Sequence, residues 1–66
     1  MFTERLRELR KNKGITQREL AQILNGTPNK VASWEQGRTE PGIADIIKLC
    51  KLFDVTADYL LGITQY

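Results

Sequence analysis

Asn29, Ser33 and Gln36 follow one another at spacings of four and three residues, so a helix over this segment sets them on one face. Lys30 and Ala32 flank that face and Pro28 sits at its tip. The set is polar, short-chained and, apart from Lys30, uncharged. A carboxamide presents a donor and an acceptor side by side, a hydroxyl does either, and Pro28 or Ala32 can meet a methyl group. Such groups read base edges in a DNA major groove, at ~1–3 kcal/mol of discrimination per well-formed contact. A face kept only for solubility would more usually carry several Lys and Glu. On these residues alone that plainer role stays open.

Phosphate contacts fall to helix starts, whose unbonded N–H groups point outward, and to donors beside them. The candidates are Gln17 at one predicted helix start, Thr27 and Asn29 at the next, Gln36 near that helix's end, and Arg38 and Thr39 beyond it. Gln17 by itself is equally a filler of a first helical turn. Glu35 lies near a helix C-terminus, where the dipole disfavours an anion. Arg10, near the end of the first predicted helix, can offset this as a partly buried bidentate pair. Two separately solvated charges would satisfy the same spacing.

Other chemistries are poorly supplied. There is no histidine and Cys50 is the single cysteine, which excludes an intramolecular disulfide and a zinc site built from Cys and His. Cys50, inside an apolar helix, is expected as a small buried hydrophobe. No nucleophile–base pair, metal cluster or phosphate loop stands out, so no enzymatic activity, metal or cofactor is expected. No apolar run reaches the ~18 residues that cross a bilayer and no signal-peptide core opens the chain, so a soluble cytoplasmic protein without a membrane partner is expected. Net charge is only +2, but Arg5, Arg7, Arg10, Lys11 and Lys13 crowd the first helix against Glu4 and Glu8. A polyanion approached from one side suits that distribution, as does a solvated helix surface.

The 66 residues suffice for one domain, expected over 1–66, that buries only about 60% of its unfolded surface and must use every apolar face. Phe2, Leu6 and Leu9 predict a helix over about Thr3–Asn12, with Thr3 as N-cap and Gly14 as terminator. Ile15 then precedes a capping box, Thr16 with Glu19, and staples against Leu20. Leu20, Ala21 and Leu24 give the second helix one apolar face, and Asn25-Gly26 ends it. Thr27 caps a third helix with Pro28 at its first position, continuing to about Gln36 and stopped by Gly37. Val31, Trp34 and Glu35 cluster on its inner side. A connection of about three residues makes these two helices cross steeply. A fourth helix follows Glu40-Pro41-Gly42, with Ile43, Ile46, Ile47, Cys50 and Phe53 on one stripe and Leu49 and Leu52 beside it. So wide an apolar arc predicts the most buried helix of the domain. Asp54 stops it, and Val55-Thr56, with Leu60 as inner partner, opens a fifth helix ending at Gly62.

RLRELRKNKGITQRELAQIL at residues 5–24, WEQG at 34–37 and EPGIADIIKLCKLFDVTADYLLG at 40–62 resemble the Cro/C1-type helix-turn-helix family of bacterial and phage transcription regulators. The resemblance runs from residue 5 to 62 without a gap. It implies a compact all-α, five-helix domain like that of the lambda repressor, with the helix-turn-helix formed by helices 2 and 3. It also implies binding to double-stranded operator DNA, usually palindromic, as a two-fold dimer. Among residues, it implies a phosphate contact from Gln17, base readout from Pro28, Asn29, Lys30 and Ser33, and an Arg10–Glu35 ion pair.

One departure from the family pattern is marked. The turn usually holds Gly followed by a buried aliphatic residue, and here reads Asn25-Gly26. The missing side chain removes ~1.5–3 kcal/mol of burial and leaves Val31 without a staple partner, so either the turn loosens or Ile23 folds over the gap. With Pro28 and Lys30 among the reading positions, no familiar operator carries over.

The expected function is a sequence-specific transcription regulator, with repression as the expected sign, dimerising through helix 5 and the residues to Tyr66. Half-sites would then lie about one helical turn apart. The alternative is a protein-interaction or tethering module of the same fold, either an antirepressor or part of a longer regulator. Ile23 and the apolar helix 5, with Tyr59, Leu60 and Leu61, could serve it.

Overall fold

The computed structural model describes residues 2–63. They form five helices: α1 (Phe2–Lys13), α2 (Gln17–Ile23), α3 (Pro28–Glu35), α4 (Ile43–Phe53) and α5 (Ala57–Leu61). α2 packs most extensively on α3, α1 bridges α3 and α5, and α4 rests on α5. The core is one cluster drawn from all five: Leu6, Leu20, Ala21, Leu24, Val31, Trp34, Leu49 and Leu60.

Local sequence explains the boundaries. Thr16 has the extended backbone of an N-cap, its hydroxyl accepts from the Glu19 N–H at 3.1 Å, and the Glu19 carboxylate accepts from the Thr16 N–H at 2.8 Å. Thr56 caps α5 by accepting from the Tyr59 N–H at 3.1 Å. Thr27 holds the same extended backbone before Pro28 but makes no side-chain capping bond. Thr16→Ala is therefore expected to lower stability by about 1 kcal/mol, and Thr27→Ala by less than half of that, since no capping bond is lost. Thermal unfolding followed by circular dichroism compares the two, and equal losses would contradict the assignment. Thr3 lies inside α1, which already includes Phe2, so the first helix begins earlier than its sequence suggested.

The turn between α2 and α3 is tight. Asn25 takes the left-handed backbone, φ 58°, its N–H bonds the Gln22 carbonyl at 3.0 Å, and the Gly26 N–H bonds the Ala21 carbonyl at 2.9 Å. This is a Schellman closure, and an Asn side chain tolerates the positive φ that it needs. Ile23 remains 50% exposed and does not fold over the gap, yet Val31 is fully buried. The space beside Gly26 is taken by the stem of Lys30: a Cβ at position 26 would lie 2.6 Å from Lys30 Cδ.

α4 is not the most buried helix. Leu49 is its one fully buried residue, while Ile43 is 82% and Ile47 50% exposed. The inward face is turned toward Leu49, so Ile46, Cys50, Leu52 and Phe53 flank the core and the Ile43–Ile47 edge faces outward. α4 makes its main helix contact with α5, and a helix packed chiefly on one neighbour can bury only part of so wide an arc. Asp54, at φ 55°, ends it as expected. Cys50 is half-buried, and burial pushes its thiol pKa up. Among the described residues, no helix is long and apolar enough to cross a membrane.

Candidate nucleic-acid interface

α3 divides sharply. Val31, Trp34 and Glu35 are 0%, 2% and 4% exposed, while Pro28, Asn29 and Gln36 are exposed and Ser33 is half-buried beside them. Two hydrophobic anchors therefore fix the helix's rotation and leave one polar face outward. Arg38 and Thr39 follow it, exposed, and Thr27 precedes it with a hydroxyl that caps nothing. The chain closes after α3 through the Gly37 and Arg38 N–H groups, bonded to the Trp34 and Ser33 carbonyls at 3.1 and 2.9 Å.

The inner end of α3 is held by a charged cluster. Arg10 donates through Nε to Glu35 Oε2 at 2.7 Å and through Nη2 to Oε1 at 3.1 Å, a bidentate pair, and its Nη1 donates to the Ile15 carbonyl at 3.0 Å. The Glu35 side chain is wholly buried and that of Arg10 only 11% exposed. Gln17 Nε2 donates to Glu35 Oε1 at 3.0 Å, and the mostly solvated Arg7 approaches the same oxygen at 3.5 Å. Burial pushes the Glu35 carboxyl pKa up. Hydrogen bonds from Arg10 and Gln17, the Arg10 charge and the Arg7 contact outweigh it and hold the group below its ordinary value. The Arg10 guanidinium is raised, chiefly by its hydrogen bond to Glu35. One carboxylate thus ties α1, the start of α2 and the end of α3 together, setting the pose of the outward face. Gln17 enters this cluster through its amide nitrogen, a role that its place in a first helical turn did not reveal.

Lys30 stands apart from the other recognition candidates. Its ammonium lies 2.9 Å from Asp45 Oδ2 at the start of α4 and 5.6 Å from the centroid of the Trp34 ring. Asp45 was not legible as its partner, because nothing local in the sequence relates the starts of α3 and α4. Nor was a second clamp, in which Arg5 Nη1 donates to the Tyr59 carbonyl at 2.9 Å and its guanidinium stacks 4.2 Å from the Tyr59 ring. That contact joins α1 to α5. Among the described residues, no group of His, Cys, Asp and Glu could hold a metal ion.

Two short capped helices, a Schellman turn and a second helix with one buried and one open polar face define a helix-turn-helix domain. A helix-turn-helix family model matches residues 6–60. The chain belongs to that family, in its Cro/C1-type branch. It is 39% identical over 59 residues to the HTH-type transcriptional regulator ImmR of Bacillus subtilis (strain 168), covering 89% of this chain and 46% of ImmR. Among solved structures, a transcriptional regulator from Listeria innocua superposes with a TM-score of 0.91 at 33% identity, over 100% of this chain and 62% of that one. The P22 c2 repressor, solved in complex with a synthetic operator, superposes with a TM-score of 0.84 at 30% identity, over 91% of each chain. The chain spans about half the length of the curated relatives it matches.

Proposed function

We propose that this domain binds operator DNA in a sequence-specific manner and regulates transcription, acting as a repressor. The observation that carries this is the division of α3: Val31, Trp34 and Glu35 are sealed inside, and Pro28, Asn29 and Gln36 stand exposed beside Ser33. In this reading α3 enters the major groove, where Asn29 and Ser33 meet base edges and Pro28 offers an apolar contact to a thymine methyl. Thr27, Gln36, Arg38, Thr39 and the start of α2 at Gln17 contact the flanking phosphates. The activity proposed is binding rather than turnover, in the cytoplasm where the DNA lies.

In this reading one copy covers a half-site, and two copies on a palindrome, with half-sites about one duplex turn apart, complete the operator. The proposed dimer surface is α5 with the residues after it, where Leu61 is 40% and Ile63 69% exposed. The residues proposed to extend it to Tyr66 lie outside the described part of the chain.

In vitro selection from random duplexes, followed by salt titration of the enriched sequence, tests this. Expected are a palindrome with half-sites one turn apart, a clear preference over random duplex, and binding that weakens with salt by about 0.9 log–log units per phosphate neutralised. No enrichment together with a flat salt response would reject it.

A further inference from the structure

Lys30 does not reach outward from the recognition face. Its stem runs back over Gly26, where a Cβ would meet Lys30 Cδ at 2.6 Å and Nζ at 3.5 Å. Gly26 is not among the residues of positive φ, so what it supplies here is room. Beyond that gap the ammonium passes the Trp34 ring and ends 2.9 Å from Asp45 Oδ2. The side chains are 32% and 15% exposed, so the pair is largely withdrawn from water. Three residues from three parts of the chain thus cooperate: Gly26 opens the path, Lys30 takes it, and Asp45 receives the charge.

We propose that Asp45 keeps Lys30 off the DNA, acting as an internal substitute for a phosphate, with the lysine stem lying over Gly26 on its way there. The inference rests on the DNA-binding reading and narrows it: Pro28, Asn29 and Ser33 read bases, and Lys30 does not. The physical reason is an unfavourable exchange. For Lys30 to reach a phosphate it must abandon Asp45, leaving an unpaired carboxylate within a Debye length, about 8 Å at physiological salt, of a polyanion. One attraction is gained and one repulsion created, while a preorganised, partly desolvated pair is lost. Asp45 therefore sets how many phosphates α3 neutralises without itself touching the nucleic acid.

A double-mutant cycle on the wild-type operator reads this directly, through the slope of log affinity against log salt. Asp45→Asn frees Lys30 and is expected to steepen the slope by about 1 and to tighten binding to random duplex. Lys30→Met alone, which keeps an apolar stem over Gly26, leaves the slope at the wild-type value, and combined with Asp45→Asn it returns the slope to that value. Circular dichroism at the titration temperature establishes that each variant is folded. Two outcomes overturn the proposal. If Lys30→Met alone falls about 1 below wild type, Lys30 already contacts a phosphate in the wild-type complex. If all slopes coincide, Lys30 never reaches the backbone. A wild-type protein that binds no duplex rejects the DNA-binding reading as well, and it does so before any variant is compared.

Discussion

Replacing Arg10 with methionine is expected to lower folding stability by about 3–5 kcal/mol. The Glu35 side chain is wholly buried and accepts both arms of the Arg10 guanidinium. Without Arg10 it keeps the Gln17 amide and the long contact to Arg7, too little to hold a buried anion. The Ile15 carbonyl also loses its donor at the junction of α1 and α2. Domains of this size have roughly 0.05–0.15 kcal/mol of stability per residue, so the variant would be largely unfolded near the lower end of that range. Trp34, the single tryptophan and 2% exposed, provides the fluorescence signal for urea titration. A loss below about 1 kcal/mol, the usual ceiling for an exposed pair, would show that the cluster behaves as a surface salt bridge.

The same cluster gives stability a pH dependence whose sign follows from the direction of the Glu35 shift. Its folded-state pKa is lowered, so its contribution is complete above the unfolded carboxylate value of about 4.3. That contribution is lost as pH falls through the lowered folded-state value. The Glu19 carboxyl is also lowered, by its hydrogen bonds with Thr16, so its contribution has the same sign. Comparing wild type with Glu35→Gln separates the two: the variant starts less stable at neutral pH and declines less on acidification. Parallel acid-denaturation curves would remove Glu35 from this account.

Substituting both Asn29 and Ser33 with alanine is expected to abolish operator preference while leaving non-specific binding in place. Each lost base contact costs ~1–3 kcal/mol, about 5- to 150-fold in affinity for the selected duplex. Neither side chain is charged, so affinity for random duplex and the salt slope should stay near wild type. Asn29 is exposed and Ser33 half-buried, both outside the core cluster, so folding should change by no more than about 0.5 kcal/mol for each substitution. Fluorescence anisotropy on matched and random duplexes at several salt concentrations measures all three quantities. If operator preference survives, the open face of α3 is not the reading surface. If there is no operator preference to lose, the protein-interaction role of the same fold gains ground, with the half-exposed Ile23 as its first anchor to test.

Much of the frame was legible because its signals are local. The Thr16–Glu19 box, the Thr56 cap and Pro28 at the first position of α3 act within one helical turn, so spacing alone announces them. The same is true of the inward side of α3, where Val31 and Trp34 lie three residues apart on a helix only eight residues long. α4 shows where such reasoning stops. Its sequence has more apolar residues than the bundle can cover, and periodicity cannot say which edge of a wide stripe is left over. The packing of α5 and Leu49 decided that, leaving Ile43 and Ile47 outside.

The candidate site divides along the same line. Sequence alone determined which helix presents a polar face and which residues lie on it, because a helix converts spacing into direction. It also indicated that Asn25-Gly26 departs from the usual turn, without revealing the consequence. Only the tertiary structure decided that the gap beside Gly26 holds the stem of Lys30, that Asp45 receives its charge, and that Gln17 turns its amide onto Glu35. The last two join residues fifteen and eighteen positions apart on different helices, and the first depends on the rotamer that the Asp45 contact draws Lys30 into. Their distances follow from how the helices pack, which no period within a single helix encodes.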